Sequence, residues 1–173
     1  IGRDWKRRVT GTNPEAVLAW HRKAGVQVMA AGDPDLPPGL RNGPGMPPVV
    51  FIRGNARVTD VPTVGIVGTR RATDLGRAVA REFGRVLTAL GVCVVSGLAY
   101  GIDGAAHRGA LEAFEDDRPD SGATPAPPAA VVAGGLDQIF PASNAALWEQ
   151  VATRGMLLAE APLGVEAARW RFA

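Results

Sequence analysis

Cysteine and lysine are almost absent from this 173-residue chain. The single cysteine, Cys93, cannot close an internal disulfide. Even with the two histidines it cannot build a zinc site of four cysteines, or of two cysteines and two histidines. The only lysines are Lys6 and Lys23, so no Gly-Lys-Ser/Thr loop exists and a P-loop NTPase is excluded. No G-x-G-x-x-G follows an apolar run, which counts against a dinucleotide cofactor. No Gly-x-Ser-x-Gly elbow surrounds Ser96, and no His-Glu-x-x-His occurs. The sequence therefore offers no catalytic set and calls for no metal or cofactor. Uncharged apolar runs of about 18 residues, the length of a membrane span, are also missing. The stretch Ile1 to Thr10 is charged and does not read as a signal peptide. A cytoplasmic protein without membrane attachment is expected, and the start at Ile1 reads as a piece of a longer chain.

What is present is apolar mass and arginine. Hydrophobic residues make up 46% of the chain, enough to bury the core of one ordinary domain. The formal net charge is only +2, yet the basic residues are almost all arginine. Arginine presents a planar fork of donors that suits phosphate, where lysine is a point charge. The acids gather at Glu112, Glu115, Asp116, Asp117 and Asp120, which leaves the remainder distinctly basic. Such segregation permits a polyanionic partner.

Residues 1–46 read as a lead-in of helical and irregular chain, and 47–173 as the main domain. Asn13-Pro14-Glu15 can open a helix carrying Val17, Leu18 and Trp20 that ends near Gly25. A short β run follows at Val26–Met29, then Pro- and Gly-rich chain from Gly32 to Pro48. Val49–Ile52 reads as a strand stopped at Gly54-Asn55. Four apolar runs then recur, at Thr63–Val67, Val92–Val95, Ala130–Ala133 and Met156–Ala159. None alternates with polar residues, as expected of parallel strands covered on both faces. Helical stretches lie between them at Leu75–Leu90, Ile102–Phe114 and Ser143–Arg154. The first carries an apolar stripe of Leu75, Val79, Val86 and Leu90, with Arg77, Arg81 and Arg85 as a basic stripe opposite. Strand intervals of roughly 26 to 39 residues suit βαβ units. The polar and Pro/Ala-rich stretch Asp116–Pro128 reads as a surface insertion. The pattern predicts an α/β doubly wound sheet, mostly parallel, with helices on both faces.

In such sheets a ligand sits outside the carboxyl ends of the strands. The turns at that edge are Gly68-Thr69-Arg70-Arg71, Ser96 to Asp103, Gly134-Gly135-Leu136-Asp137, and Glu160 to Gly164. All contain glycine, which lets backbone approach a ligand, and helix starts offer free N–H groups to anions. Glycines in single βα turns need mean no more than tight geometry. Several such turns together, with Arg70 and Arg71 beside them, read as a phosphate pocket. His107 lies one helical turn after Asp103, and the two can pair structurally. Cys93 sits within an apolar strand and reads as core filler. The Arg77/Arg81/Arg85 stripe fits either a solvated face or an extension of the pocket. Tyr100, Phe140, Trp170 and Phe172 fall at or near the ligand edge, where aromatics beside arginines suit single-stranded nucleic acid, although core packing suits some of them equally.

At these turns the chain resembles the DNA-processing protein A (DprA/Smf) family of bacterial recombination mediators. The resemblance rests on Val64–Thr73 with Gly76, and on Val95–His107 with Ala110-Leu111. It also rests on Gly135-Leu136-Asp137 with Phe140-Pro141, Asn144 and Leu147, and on Glu160–Gly164. The Ser-Gly-Leu-Ala-x-Gly-Ile-Asp-x-x-Ala-His run is its most specific part. Upstream, Asp33–Pro37, Leu40, Pro47-Pro48 and Gly54 resemble the family's lead-in, so the likeness spans about residues 25 to 172. It implies an extended Rossmann-like domain that binds single-stranded DNA, dimerises with itself, and loads the RecA recombinase onto incoming DNA in natural transformation. It implies no enzymatic activity. By match, the DNA or phosphate contacts would fall at Gly68, Thr69, Arg70, Arg71, Ser96, Gly97, Gly134, Gly135, Phe140, Arg169 and Arg171. Phe140 stands where the family usually has tyrosine. The family's chain continues past the stretch like Arg169–Phe172 into an Arg-Asn-Arg loop and further helices, so the domain is expected to be incomplete at its C-terminal side.

The competing reading is an enzyme. Rossmann-like proteins resembling the cytokinin-activating phosphoribohydrolases use a Pro-Gly-Gly-x-Gly-Thr-x-x-Glu loop. The comparable stretch here, Ala133 to Ile139, lacks the threonine and the glutamate. A third reading is a sensor of small nucleotides on the same anion pocket.

Overall fold

The structure, a computed structural model, describes residues 13–41, 45, 47–115 and 122–167. Helix α1 (Pro14–Lys23) begins where the Asn13 side chain accepts the Glu15 and Ala16 amides. It leads to strand β1 (Gln27–Ala30), then to β2 (Val49–Gly54). The regular series follows: β3 (Thr63–Gly65), α2 (Asp74–Ala89), β4 (Cys93–Ser96), α3 (Ile102–Glu115), β5 (Ala129–Val132), α4 (Ala145–Arg154) and β6 (Met156–Ala159). Every strand and helix expected from the periodicity is there, with boundaries shifted by a few residues.

The strands form one six-stranded sheet in the order β1-β2-β6-β5-β4-β3. Neighbours from β3 to β6 are parallel, while β2 pairs antiparallel with both β6 and β1. The fold is thus α/β and Rossmann-like. β1, from within the lead-in, completes the sheet through register pairs such as Val28 with Phe51.

Strand order explains how the faces are covered. Because β3, β4, β5 and β6 follow in sequence across the sheet, right-handed crossovers place all three connecting helices on one face. There Val94, Ala130, Leu157 and Ala159 meet Ala106, Ala110 and Leu111 of α3 and Leu147, Trp148 and Val151 of α4. Alternation along the strands sends Cys93, Ala129, Met156 and Leu158 to the second face. Among the described residues its cover is not α-helical. It consists of the 3-10 turns Pro38–Leu40 and Ala56–Thr59 with Leu36, Val58 and Ala126. Ala126 also corrects the surface reading of the 116–128 insertion. Its amide donates to the Thr88 carbonyl, and its side chain is buried.

Helix α2 inverts a second expectation. Its inner side is the small stripe Ala80, Gly84 and Thr88, while Leu75, Val79, Val86 and Leu90 stay exposed, as does Phe83. The cause is a backbone-close crossing with α3. A Cβ on Gly84 would collide with the Ala106 carbonyl oxygen, and one on Gly109 with that of Arg81. Only small residues allow that approach, so the large apolar side chains are turned outward.

The lead-in is locked by His21, which is fully buried and stacks on Phe51 with ring centroids 4.9 Å apart. Its Nδ1 donates to the Val17 carbonyl at 2.8 Å, and its Nε2 accepts the Leu163 amide at 3.1 Å. That second bond ties α1 to the turn after β6.

The α2–α3 crossing yields a direct expectation. Gly109→Ala should lower unfolding stability by about 1–3 kcal/mol, the usual range for overpacking. A urea melt should show a lower midpoint at unchanged slope; an unshifted midpoint would mean the helices part easily.

Candidate functional site

The carboxyl ends of β3 to β6 open onto a cleft of about 840 Å³. Each of the four strand-end turns contributes to it. Gly68 and Arg70 follow β3, Ser96, Gly97 and Ala99 close β4, Ala133 follows β5, and Glu160, Ala161 and Pro162 follow β6. One side is apolar, built from Val67, Val95 and Val131. Arg70 is the only cation lining the cleft among the described residues, and Asp103 and Glu160 are its acids.

The geometry of this edge is set from below by Asp103, in the first turn of α3. Its Oδ2 accepts the Gly97 amide at 3.1 Å, and its Oδ1 accepts the Gly68 amide at 3.3 Å. One buried carboxylate therefore holds the turn after β3 and the turn after β4 together. Charge-assisted bonds of this kind are stronger than neutral ones. A second tie runs beside it, with Ser96 Oγ donating to the Ile66 carbonyl at 2.6 Å. The far end of the β4 turn hangs on Asn144, whose Nδ2 donates to the carbonyls of Leu98 and Ala99 at 2.9 and 3.3 Å. Arg108 donates to Asn144 Oδ1 at 2.9 Å and so fixes the amide's orientation.

Glycine is required where these turns touch. A Cβ on Gly68 would strike the Ile102 side chain, and one on Gly101, at φ +78°, would meet the carbonyls of Thr69 and Arg70. Leu98 takes φ +56° with its side chain in the core, a strained placement for a branched residue.

The structure brings Gly68, Arg70, Ser96 and Gly97 together around the cleft, with Thr69 and Arg71 exposed in the same turn. It gives the glycine amides another occupation than the one expected from sequence. The N–H groups of Gly68 and Gly97 are spent on Asp103, so these turns supply close approach more than donors. Gly134 and Gly135 are buried behind the cleft, where Gly135 donates to the Val165 carbonyl at 2.8 Å. Phe140 and Tyr100 are each about half exposed and do not line the cleft. Arg169 and Arg171, with Trp170 and Phe172, lie outside the described residues.

Two further readings are decided by side-chain contacts. Asp103 and His107 do not pair, because both Asp103 oxygens face the glycine turns. The basic stripe on α2 is ion-paired: Arg77 with Asp74, Arg81 with Glu112 at 2.5 Å, and Arg85 with Glu82 at 2.6 Å. That favours the solvated-face reading. Sequence reasoning alone does not single out Asp103, Asn144 and Glu160 as site residues. An acid one residue into a helix beside three glycines is the available signal for Asp103. Cys93 is buried as expected, and burial pushes its thiol up to about 11.

Fold and cleft together define a Rossmann-like domain with an open ligand edge, of the kind that takes nucleotides or nucleic acid. The pattern of one such family, DNA recombination-mediator protein A, matches residues 27–173, and the chain belongs to that family. Protein Smf of Synechocystis is 37% identical over 164 residues, covering 92% of this chain and 38% of the relative. The crystal structure of DNA processing protein A from Streptococcus pneumoniae superposes with a TM-score of 0.76 at 26% identity, covering 92% of this chain and 52% of that one. DNA processing protein A of Helicobacter pylori, solved for its single-stranded DNA binding mode, superposes at 0.68 with 22% identity, over 85% of this chain and 60% of that one. The chain thus spans roughly half or less of the length of the first two. No helix among the described residues is long and apolar enough to cross a membrane.

His107 carries a pH signature. It is wholly buried, and neither ring nitrogen has a hydrogen bond of good geometry among the described residues. Burial is the main cause that pushes its pKa down from 6.5 to about 4; the nearby Ser96 backbone opposes the shift and the Arg108 charge adds to it. The folded chain then binds fewer protons than the unfolded one. Stability is complete above the unfolded value and falls as pH drops from about 6.5 towards 4, by about 3 kcal/mol in all. Replacing the histidine as His107→Gln should remove that part of the pH dependence. Urea melts at pH 7 and pH 4.5 check it; equal losses in both proteins would place the proton elsewhere.

Proposed function

We propose that this chain is the DNA-handling part of a recombination mediator. It binds single-stranded DNA along the carboxyl edge of the sheet, protects it, and loads the RecA recombinase during natural transformation. In this reading the protein works in the cytoplasm as a homodimer and performs no catalysis of its own. The observation that carries the reading is Arg70 on the wall of the cleft, in a chain of this family. The H. pylori relative, which shares the fold, supports the choice of single strands.

The roles follow from the chemistry of the edge. Arg70, with Arg71 from the same turn, grips phosphate through its guanidinium fork. Thr69 and Ser96 border that grip, and Gly68 and Gly97 let the strand approach the backbone. Gly134 and Gly135 shape the turn behind the cleft. Phe140, and Arg169 and Arg171 beyond the described residues, extend the path. The apolar wall of Val67, Val95 and Val131 gives base or sugar a dry surface. Glu160 on the opposite side keeps phosphates near the arginines. Phosphate contacts and stacking carry no base code, so sequence preference should be slight.

Arg70→Ala tests this, by oligonucleotide titration across a series of salt concentrations. If Arg70 neutralises one phosphate, the variant should bind all single-stranded sequences more weakly. Its log K against log salt slope should flatten by about 0.7, the single-strand value per phosphate. Arg70→Lys should keep the slope with intermediate affinity, since it restores charge without the fork. Wild-type affinity and slope in Arg70→Ala would put the DNA on another edge. Competition by free AMP as strong as by the single strand would favour the small-nucleotide readings instead.

A further inference from the structure

Tyr100 is the only tyrosine of the chain and lies in the turn between β4 and α3. An aromatic so placed can fill the core or stand at the ligand edge, and its 47% exposure excludes the core. Both of its flanks are fixed. On one side Leu98 turns through φ +56° with its side chain fully buried. The Ala99 carbonyl then accepts the Gly104 amide at 3.0 Å and Asn144 Nδ2 at 3.3 Å. On the other side Gly101 takes φ +78°, and its carbonyl accepts the Ala105 amide at 3.1 Å. The turn thus anchors the residues around Tyr100 and leaves its ring half in solvent. A leucine held at positive φ is backbone strain of the kind that gathers at binding sites.

The same contacts place Tyr100 at the rim of the cleft. Ala99, the residue before it, lines the cleft. Gly101, the residue after it, lies against the carbonyls of Thr69 and Arg70, and the Ile102 amide donates to the Thr69 carbonyl at 3.4 Å. Tyr100 therefore sits between the cleft and the turn that carries Arg70 and Arg71. Among the described residues no aromatic side chain lines the cleft itself. A base that is to stack on a ring must find that ring at the rim.

We infer that Tyr100 is a base-stacking residue, which takes the face of one base of a single strand whose phosphate lies on Arg70. The inference rests on the DNA-binding reading and adds a contact to bases where Arg70 supplies one to phosphate. Every base has a π-face, so such a contact binds without choosing a sequence. Tyrosine suits the place, because its ring is rigid, has only two torsions to fix, and tolerates water at its hydroxyl. The clamped backbone on either side lowers the ordering cost further.

The test uses the complete gene product and two probes, a mixed-sequence single strand and the same strand with its bases replaced by abasic sites. Tyr100→Ala should bind the first about tenfold more weakly, the loss of one stacked base. Its log K against log salt slope should stay at the wild-type value, because no phosphate contact is removed. On the abasic strand the variant and the wild type should bind alike. Tyr100→Phe should restore affinity for the normal strand, since stacking does not use the hydroxyl. In the wild type, a strand carrying iododeoxyuridine should photocrosslink to Tyr100. Equal binding of Tyr100→Ala and wild type to the normal strand, equal weakening on both strands, or crosslinks that omit Tyr100 would overturn the inference. A flattened slope in Arg70→Ala beside an unaffected Tyr100→Ala removes the stacking contact and keeps the DNA reading; no effect from either variant removes both. If Tyr100→Ala does not fold, the crosslink decides alone.

Discussion

A single carboxylate clasps the turns that follow β3 and β4. Asp103 takes the amides of Gly68 and Gly97 on its two oxygens, and so fixes the separation of the turns that follow β3 and β4. A helix start beside glycine turns ordinarily attracts an external anion. Here the anion is built in, and it occupies the Gly68 and Gly97 amides. The remaining demands follow from that clasp. Gly97 must lack a Cβ because Asp103 lies against it, Gly68 because Ile102 does, and Gly101 because the chain after β3 crosses it. With those amides taken, the cation this edge offers an external anion is Arg70 on the cleft wall, with Arg71 exposed in the same turn.

A second layer of restraint surrounds the clasp. Ser96 holds the Ile66 carbonyl, Asn144 reaches from the 3-10 turn before α4 to the β4 turn, and His21 braces the β6 turn from the lead-in. The turns that form the cleft are thus each fastened to an element other than their own, and the cleft can be shaped before any ligand arrives. Such preorganisation lowers the ordering cost of binding.

Much of the fold was legible in the sequence because its signals are local. Uninterrupted apolar runs marked β3 to β6, glycine turns marked the ligand edge, and Asn13-Pro14 marked a helix start. What stayed hidden depended on contacts between elements. The apolar stripe of α2 looked like the inward face because size usually decides; the opposed Gly84 and Gly109 reversed it by letting two backbones meet. The spacing of Asp103 and His107 suggested a pair along one helix, whereas Asp103 answers to two glycines, one of them 35 residues away. Arg77, Arg81 and Arg85 fitted a solvated face and an extension of the pocket equally until Glu112, from the neighbouring helix, joined the local acids as a partner. At the site, Arg70, Ser96 and the turn that begins at Glu160 were within reach of sequence reasoning, while the hold of Asn144 on the β4 turn enters only through the packing around α4.

The most direct measurement is residue-resolved amide exchange in Asp103→Ala. If one carboxylate couples the two turns, the Gly68 and Gly97 amides should lose protection together, while the core amides of Val94 and Leu157 keep theirs. Global stability should fall by about 1–3 kcal/mol, the loss of charge-assisted hydrogen bonds to two part-buried amides. Retained protection at both glycines, or loss at Gly97 alone, would contradict the account and leave the ligand edge held by some other contact.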